Sequence, residues 1–177
     1  VMTGHIQETK GQDQLISAVG LLGEEYKQKI EVDFYGEAYS DYQKKLNNLI
    51  SKFDLNNIVH FCGYCDSIFE KLAEYDIGII CSKAEGFGRV TVEYMAAGLA
   101  VIAADTGANP ELIEDGNSGV LYSYGHPESL SDKIKLLIDN EDIREKISNV
   151  CMKHVYDCFT SEINVREIFK IYQILVN

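Results

Sequence analysis

Two carboxylates eight positions apart, Glu85 and Glu93, flank a short glycine-bearing loop, Glu85-Gly-Phe-Gly88, and the start of a segment with helical spacing. A carboxylate accepts hydrogen bonds from hydroxyl groups. Glycines at 86 and 88 let backbone approach a ligand closely, and a helix start presents N–H groups to an anion. Together these residues suit a molecule that carries a phosphate and a set of hydroxyls. Lys10, at the mouth of an earlier helix, is a second candidate partner for phosphate oxygen; taken alone it also reads as a solvated surface lysine. Arg89 opens the helix, where its charge opposes the macrodipole unless an anion lies nearby. The competing reading is an i,i+4 pair with Glu93. Tyr64 follows the third strand, placed either to stack on a base or simply to pack.

The elements around these residues are legible from period and punctuation. Asp76 to Ser82 is a short apolar run and Leu99 to Ala104 another; the segment between carries Val90, Tyr94 and Ala97 on one face. Strand, loop, helix and strand form a βαβ unit, which builds parallel sheet. Ahead of it, Val1–Gly4 reads as the end of a strand, 11–22 as a helix with Leu15, Ile16, Val19 and Leu22 inward, and 30–35 as a strand. A helix over 39–53 and a strand over 58–62 follow, then a helix from Ser67 with Ser67 and Glu70 as a capping box. Beyond it, Asn109 is placed to cap a short helix with Pro110 at its first position. A strand over 119–122 and helices over 127–138, 141–158 and 161–175 complete the chain. The expectation is one α/β domain over 1–177, a Rossmann-like, doubly wound parallel sheet of about six strands with helices on both faces. If the order is 3-2-1-4-5-6, the crevice lies between the loops after Gly4 and after Cys81, the same loops that carry the chemistry.

Composition narrows the classes. Sixteen Lys and Arg against 28 Asp and Glu give a net charge of −12, which argues against nucleic acid or an anionic membrane as partner. The longest apolar run, Tyr94 to Ala104, is shorter than the roughly 20 residues that span a bilayer. No stretch ahead of the first helix reads as a signal peptide. Five cysteines include Cys62-Gly-Tyr-Cys65, but no second pair stands at the spacing a zinc site wants. Reduced cysteines in a cytoplasmic protein are the expectation. The loop from Gly4 to Gly11 fits neither the dinucleotide fingerprint nor the P-loop.

The chain resembles the family-4 retaining glycosyltransferases. The likeness rests on the two glutamates with their EGFG loop, and on Thr3-Gly-His-Ile-Gln-Glu-Thr-Lys-Gly11, Phe61-Cys-Gly63, Tyr75-Asp-Ile-Gly-Ile79, Gly107-Ala-Asn-Pro-Glu111 and Asp115-Gly-Asn-Ser-Gly-Val-Leu121. It covers about Val1 to Leu137 and, more loosely, the helical tail. The resemblance implies the donor-binding C-terminal half of a GT-B enzyme, with the acceptor-binding N-terminal half outside this chain. It implies a nucleotide-diphosphate sugar as donor, no cofactor and no required metal. Glu85 becomes the catalytic-site carboxylate beside the transferred sugar, and Glu93 the holder of the ribose hydroxyls. Lys10, with His5 and Arg89, meets the diphosphate, as do backbone N–H groups along Gly86, Phe87, Gly88, Arg89 and Val90. Gly63 and Tyr64 lie at the base. Two positions depart from the family pattern: His5 stands for an arginine, a weaker and pH-dependent cation, and Cys81 for a proline. The sequence around Lys10 and Arg89 is similar to members that assemble bacterial surface polysaccharides. Such a protein would be cytoplasmic and reach the inner face of a membrane only through its other half. The alternatives are a non-catalytic nucleotide-sugar-binding subunit of the same fold and a sugar-nucleotide epimerase fragment.

Overall fold

The structure, a computed structural model, describes residues 1–38 and 40–176. The chain alternates strand and helix as its apolar periods predict. Strand β1 (Met2–Thr3) leads through a 3-10 turn (Glu8–Lys10) into α1 (Gln12–Gly20), then a one-turn α2 (Glu24–Lys27) and β2 (Val32–Tyr35). Helix α3 (Ser40–Lys52), β3 (Val59–Gly63), α4 (Ile68–Leu72) and β4 (Ile77–Ile80) follow. The remainder is α5 (Arg89–Ala96), β5 (Ala100–Ala104), α6 (Asn109–Leu112), β6 (Val120–Tyr122), α7 (Pro127–Asp139), α8 (Glu141–Cys158) and α9 (Ser161–Val176).

All strand pairings are parallel. They form two three-stranded ladders, β1-β2-β3 and β4-β5-β6. The ladders meet at Val1, whose nitrogen donates to Ile77 O at 2.8 Å and whose carbonyl accepts from Ile79 N–H at 2.9 Å. That seam sets the order 3-2-1-4-5-6. Every residue of β5 is buried, as a parallel strand covered on both faces must be. Helix α1 packs between α3 and α7, while α5 packs on α8 and on β4 and β5. Leu15, Ile16 and Val19 from α1, Leu46 and Ile50 from α3, and Leu130, Ile134 and Leu137 from α7 complete the core, the residues that helical spacing turns inward.

Several local expectations change. Tyr39, where the sequence begins α3, lies outside the described residues. Helix α2 is a single turn, too short to show a period. Ser67 precedes α4 at φ −105°, ψ 47° and makes no capping bond through its side chain, because its backbone is not in the extended conformation a capping hydroxyl needs. Asn109 is not a cap: Ala108 occupies that position, and Asn109 begins α6 fully buried. Its side chain has another task, described below.

Candidate functional site

The sheet order brings the C-terminal ends of β1 and β4 side by side, and the loops leaving them are joined. Lys83 N–H donates to Thr9 O at 3.0 Å across the gap. Gly11 holds φ +74°, and a Cβ there would stand 2.3 Å from Cys81 O, so only glycine lets the two loops touch. Lys10, at the end of the 3-10 turn, therefore faces the second loop, and its Nζ lies 2.5 Å from Glu85 Oε1. Both side chains are largely covered, 24% and 17% exposed. The cation and the carboxylate to which the family resemblance gives different parts of one ligand are, in the protein alone, each other's partner.

The same loop is pinned from its other side. Thr106 Oγ1 donates to Ser82 O at 2.8 Å and Ala108 N–H to Glu85 O at 3.0 Å. Gly107, at φ +56°, lies so close that a Cβ would sit 2.5 Å from Glu85 N. The loop ends at Gly88, the N-cap of α5, which offers no side chain, and the first turn of α5 carries no acidic residue. The start of α5 thus has neither a side-chain cap nor an acidic residue in its first turn.

Helix α5 is anchored by two contacts, the first part-buried and the second fully buried. The Tyr94 hydroxyl accepts from Thr3 N–H at 2.6 Å and donates to Thr3 Oγ1 at 3.1 Å; burial pushes its phenol above the ordinary tyrosine range. Thr91 donates to Asn109 Oδ1 at 2.9 Å, and Asn109 Nδ2 donates to Ala104 O at 3.1 Å. These contacts hold Glu93, one position from Tyr94, over the end of β1. Glu93 lines a cleft of about 390 Å³ together with His5, Tyr64, Arg89 and Val90, within the size range of small-ligand sites. Gly36, Glu37 and Cys65 also line it, and sequence reasoning missed all three. A smaller recess lined by Thr3, Lys10, Ser82, Glu85 and Val90 adjoins, sharing Thr3 and Val90 with the main cleft.

Other named residues are placed differently. Arg89 is 84% exposed with Nη2 3.7 Å from Glu93 Oε1, so it both lines the cleft and makes the i,i+4 contact. Tyr64 stands 71% exposed at the cleft rim. Gly63 does not line the cleft; its carbonyl accepts from Gly36 N–H at 2.8 Å and sets the neighbouring loop. No atom lies near the position a Cβ of Gly86 would take. The Phe87 ring packs edge-on against Phe159 at 6.1 Å, toward the α8–α9 junction. Cys81 is buried, its thiol pushed up to about 12 by desolvation, and all five cysteines are free thiols. A separate cleft of about 320 Å³ at the opposite strand ends, between Ile30, Tyr75 and Arg144, gathers none of the candidate site residues. Among the described residues no helix is long and apolar enough to cross a membrane.

Comparison with known proteins bears on this arrangement. Residues 1–152 match the sequence profile of the family described as "Glycosyl transferases group 1". N-acetyl-alpha-D-glucosaminyl L-malate synthase of Bacillus anthracis is 31% identical over 124 residues, covering 70% of this chain and 32% of the relative. Anabaena Alr3699/HepE, crystallised with UDP, superposes with a TM-score of 0.88 at 28% identity, over 97% of this chain and 48% of that one; the same protein has been crystallised with UDP-glucose. The C-terminal domain of the glycosyl transferase group 1 family protein LpcC from Francisella tularensis gives 0.83 at 28% identity, over 90% of this chain and 86% of that one. The chain spans 32% to 44% of the length of the first curated relatives it matches.

Proposed function

Because this chain belongs to the group 1 glycosyltransferases, matched over residues 1–152, we propose that it is the donor-binding half of a retaining, family-4 type GT-B enzyme. Its substrate is a nucleotide-diphosphate sugar. The observation that carries this reading is the continuous site at the strand switch point: Glu93 in the cleft, the uncapped start of α5 beside it, and Lys10 with Glu85 in the adjoining recess. In the proposed arrangement Glu93 accepts from the ribose hydroxyls and Tyr64 stacks on the base at the rim. The α5 amides and Lys10, assisted by His5 and Arg89, hold the diphosphate, and Glu85 meets the transferred sugar.

Transfer moves negative charge onto the leaving diphosphate. Fixed amide dipoles and cations aimed at that position stabilise it without reorganising. These groups carry the charge in this reading without a bound metal. The acceptor, a glycan or lipid-linked glycan of the bacterial surface, is supplied with the other half of the enzyme, so this half alone binds donor and transfers little. That half also makes any contact with the inner face of the membrane, the present domain remaining in the cytoplasm. UDP and UDP-glucose in crystals of the 28%-identical Anabaena protein favour a uridine donor.

The test compares two ligands on one variant. Glu93→Ala is expected to weaken UDP and UDP-glucose alike by about ten- to a hundredfold, the worth of a charge-assisted hydrogen bond. Unchanged affinity for both, in a variant that melts normally, would reduce Glu93 to the partner of Arg89 and remove the reading's foundation.

A further inference from the structure

The contact between Lys10 and Glu85 has a consequence that separate ligand roles for the two residues do not anticipate. At 2.5 Å and mostly covered, the pair is held more firmly than an exposed ion pair. Neither backbone has room to withdraw: the Lys10 turn is tied to the second loop through Thr9 and Lys83, and Glu85 is held through Ala108 and Gly107. Any exchange of partners is therefore a side-chain movement. Lys10 must give up Glu85, wholly or in part, to turn its charge on a diphosphate, and the vacated carboxylate then needs new donors. A sugar attached to the diphosphate brings hydroxyl donors to that position; a free nucleotide diphosphate brings none there, its ribose hydroxyls being taken by Glu93 in the reading above.

We propose that Glu85 makes this site discriminate between donor and spent donor: a nucleotide-diphosphate sugar occupies Glu85 with its hydroxyls and keeps Lys10, whereas the free nucleotide diphosphate loses Lys10 back to Glu85. Glu85 is then a specificity residue that speeds departure of the product left by transfer. The inference rests on the donor-binding reading above.

Calorimetric titration of the whole chain with UDP and UDP-glucose tests it. Glu85→Gln removes the competing charge and is expected to tighten UDP by about fivefold, the scale of one partly exposed ion pair, while UDP-glucose binds no more tightly or binds worse. In a Lys10→Met background the same Glu85→Gln change should leave UDP affinity unmoved. Glu85→Asp keeps the charge but shortens the reach by one methylene, and is expected to move UDP in the same direction; it decides the matter if Glu85→Gln melts abnormally. Unchanged or weaker UDP binding in these variants, with wild type binding normally, overturns the proposal and leaves the donor-binding reading standing. An equal gain without Lys10 also overturns it, reducing Glu85 to simple repulsion of the diphosphate. Wild type that binds neither ligand overturns the donor-binding reading, and this inference with it.

Discussion

Glu93 and Tyr94 are neighbours with unlike dependences. The contact of Glu93 with Arg89, at 3.7 Å on an exposed arginine, is worth a few tenths of a kcal/mol. Arg89→Ala is accordingly expected to leave the denaturant midpoint almost unchanged while weakening UDP, the more so at low salt, where an exposed charge is less screened. Tyr94→Phe is the opposite case. Removing the hydroxyl leaves Thr3 N–H without its partner at 2.6 Å, in a part-buried position, at a cost of about 0.5–1.5 kcal/mol, the net worth of one hydrogen bond. Urea unfolding should register that loss, and a midpoint equal to wild type would show that the bond contributes nothing net. Of these two residues only Glu93 stands out in the sequence as a candidate, because a carboxylate eight residues after another across a glycine loop is a local pattern. The role of the Tyr94 hydroxyl depends on Thr3, 91 positions away, and its helical spacing marks it only as core. Asn109 was misjudged for the same reason: a residue before proline reads as a cap, whereas burial turns its amide to Thr91 and Ala104.

At the scale of elements, the loop from Cys81 to Gly88 is positioned by its neighbours on both sides rather than by its own sequence. Gly107 is the support that bears on Glu85 itself. Gly107→Ala combines a Cβ 2.5 Å from Glu85 N with a positive φ, strain of about 1–3 kcal/mol. The loop must move away to accommodate it. The expected outcome is a lowered melting temperature and a loss of UDP-glucose affinity with no matching loss for UDP, since Glu85 is displaced and Glu93 is not; equal losses would place the damage in the fold at large. Strands and long helices were legible because their apolar periods repeat. The one-turn α2 has no period, and the alignment of the Thr106–Ala108 turn against Glu85 is a tertiary fact with no local mark beyond the glycine itself.

On the scale of the whole molecule, the order of elements was enough to bring the candidate residues together: a doubly wound sheet of order 3-2-1-4-5-6 puts its crevice between the first and fourth strands, where Glu85, Glu93 and Lys10 lie. What order does not reveal is the surface. Helix α9 exposes Val165, Ile168, Phe169, Ile171 and Tyr172, an apolar set out of keeping with a surface of net charge −12. In the proposed enzyme the acceptor-binding half covers part of this helix, and hydrogen exchange along 161–173 should slow when the two halves are joined; unaltered exchange would place the second half elsewhere. The most direct measurement of the central claim is simpler. Titration of the wild-type chain with UDP-glucose, followed calorimetrically, is predicted to give saturable one-site binding that Lys10→Ala and Glu93→Ala each weaken; absence of binding to UDP-, GDP- and ADP-sugars alike by a folded chain would contradict it.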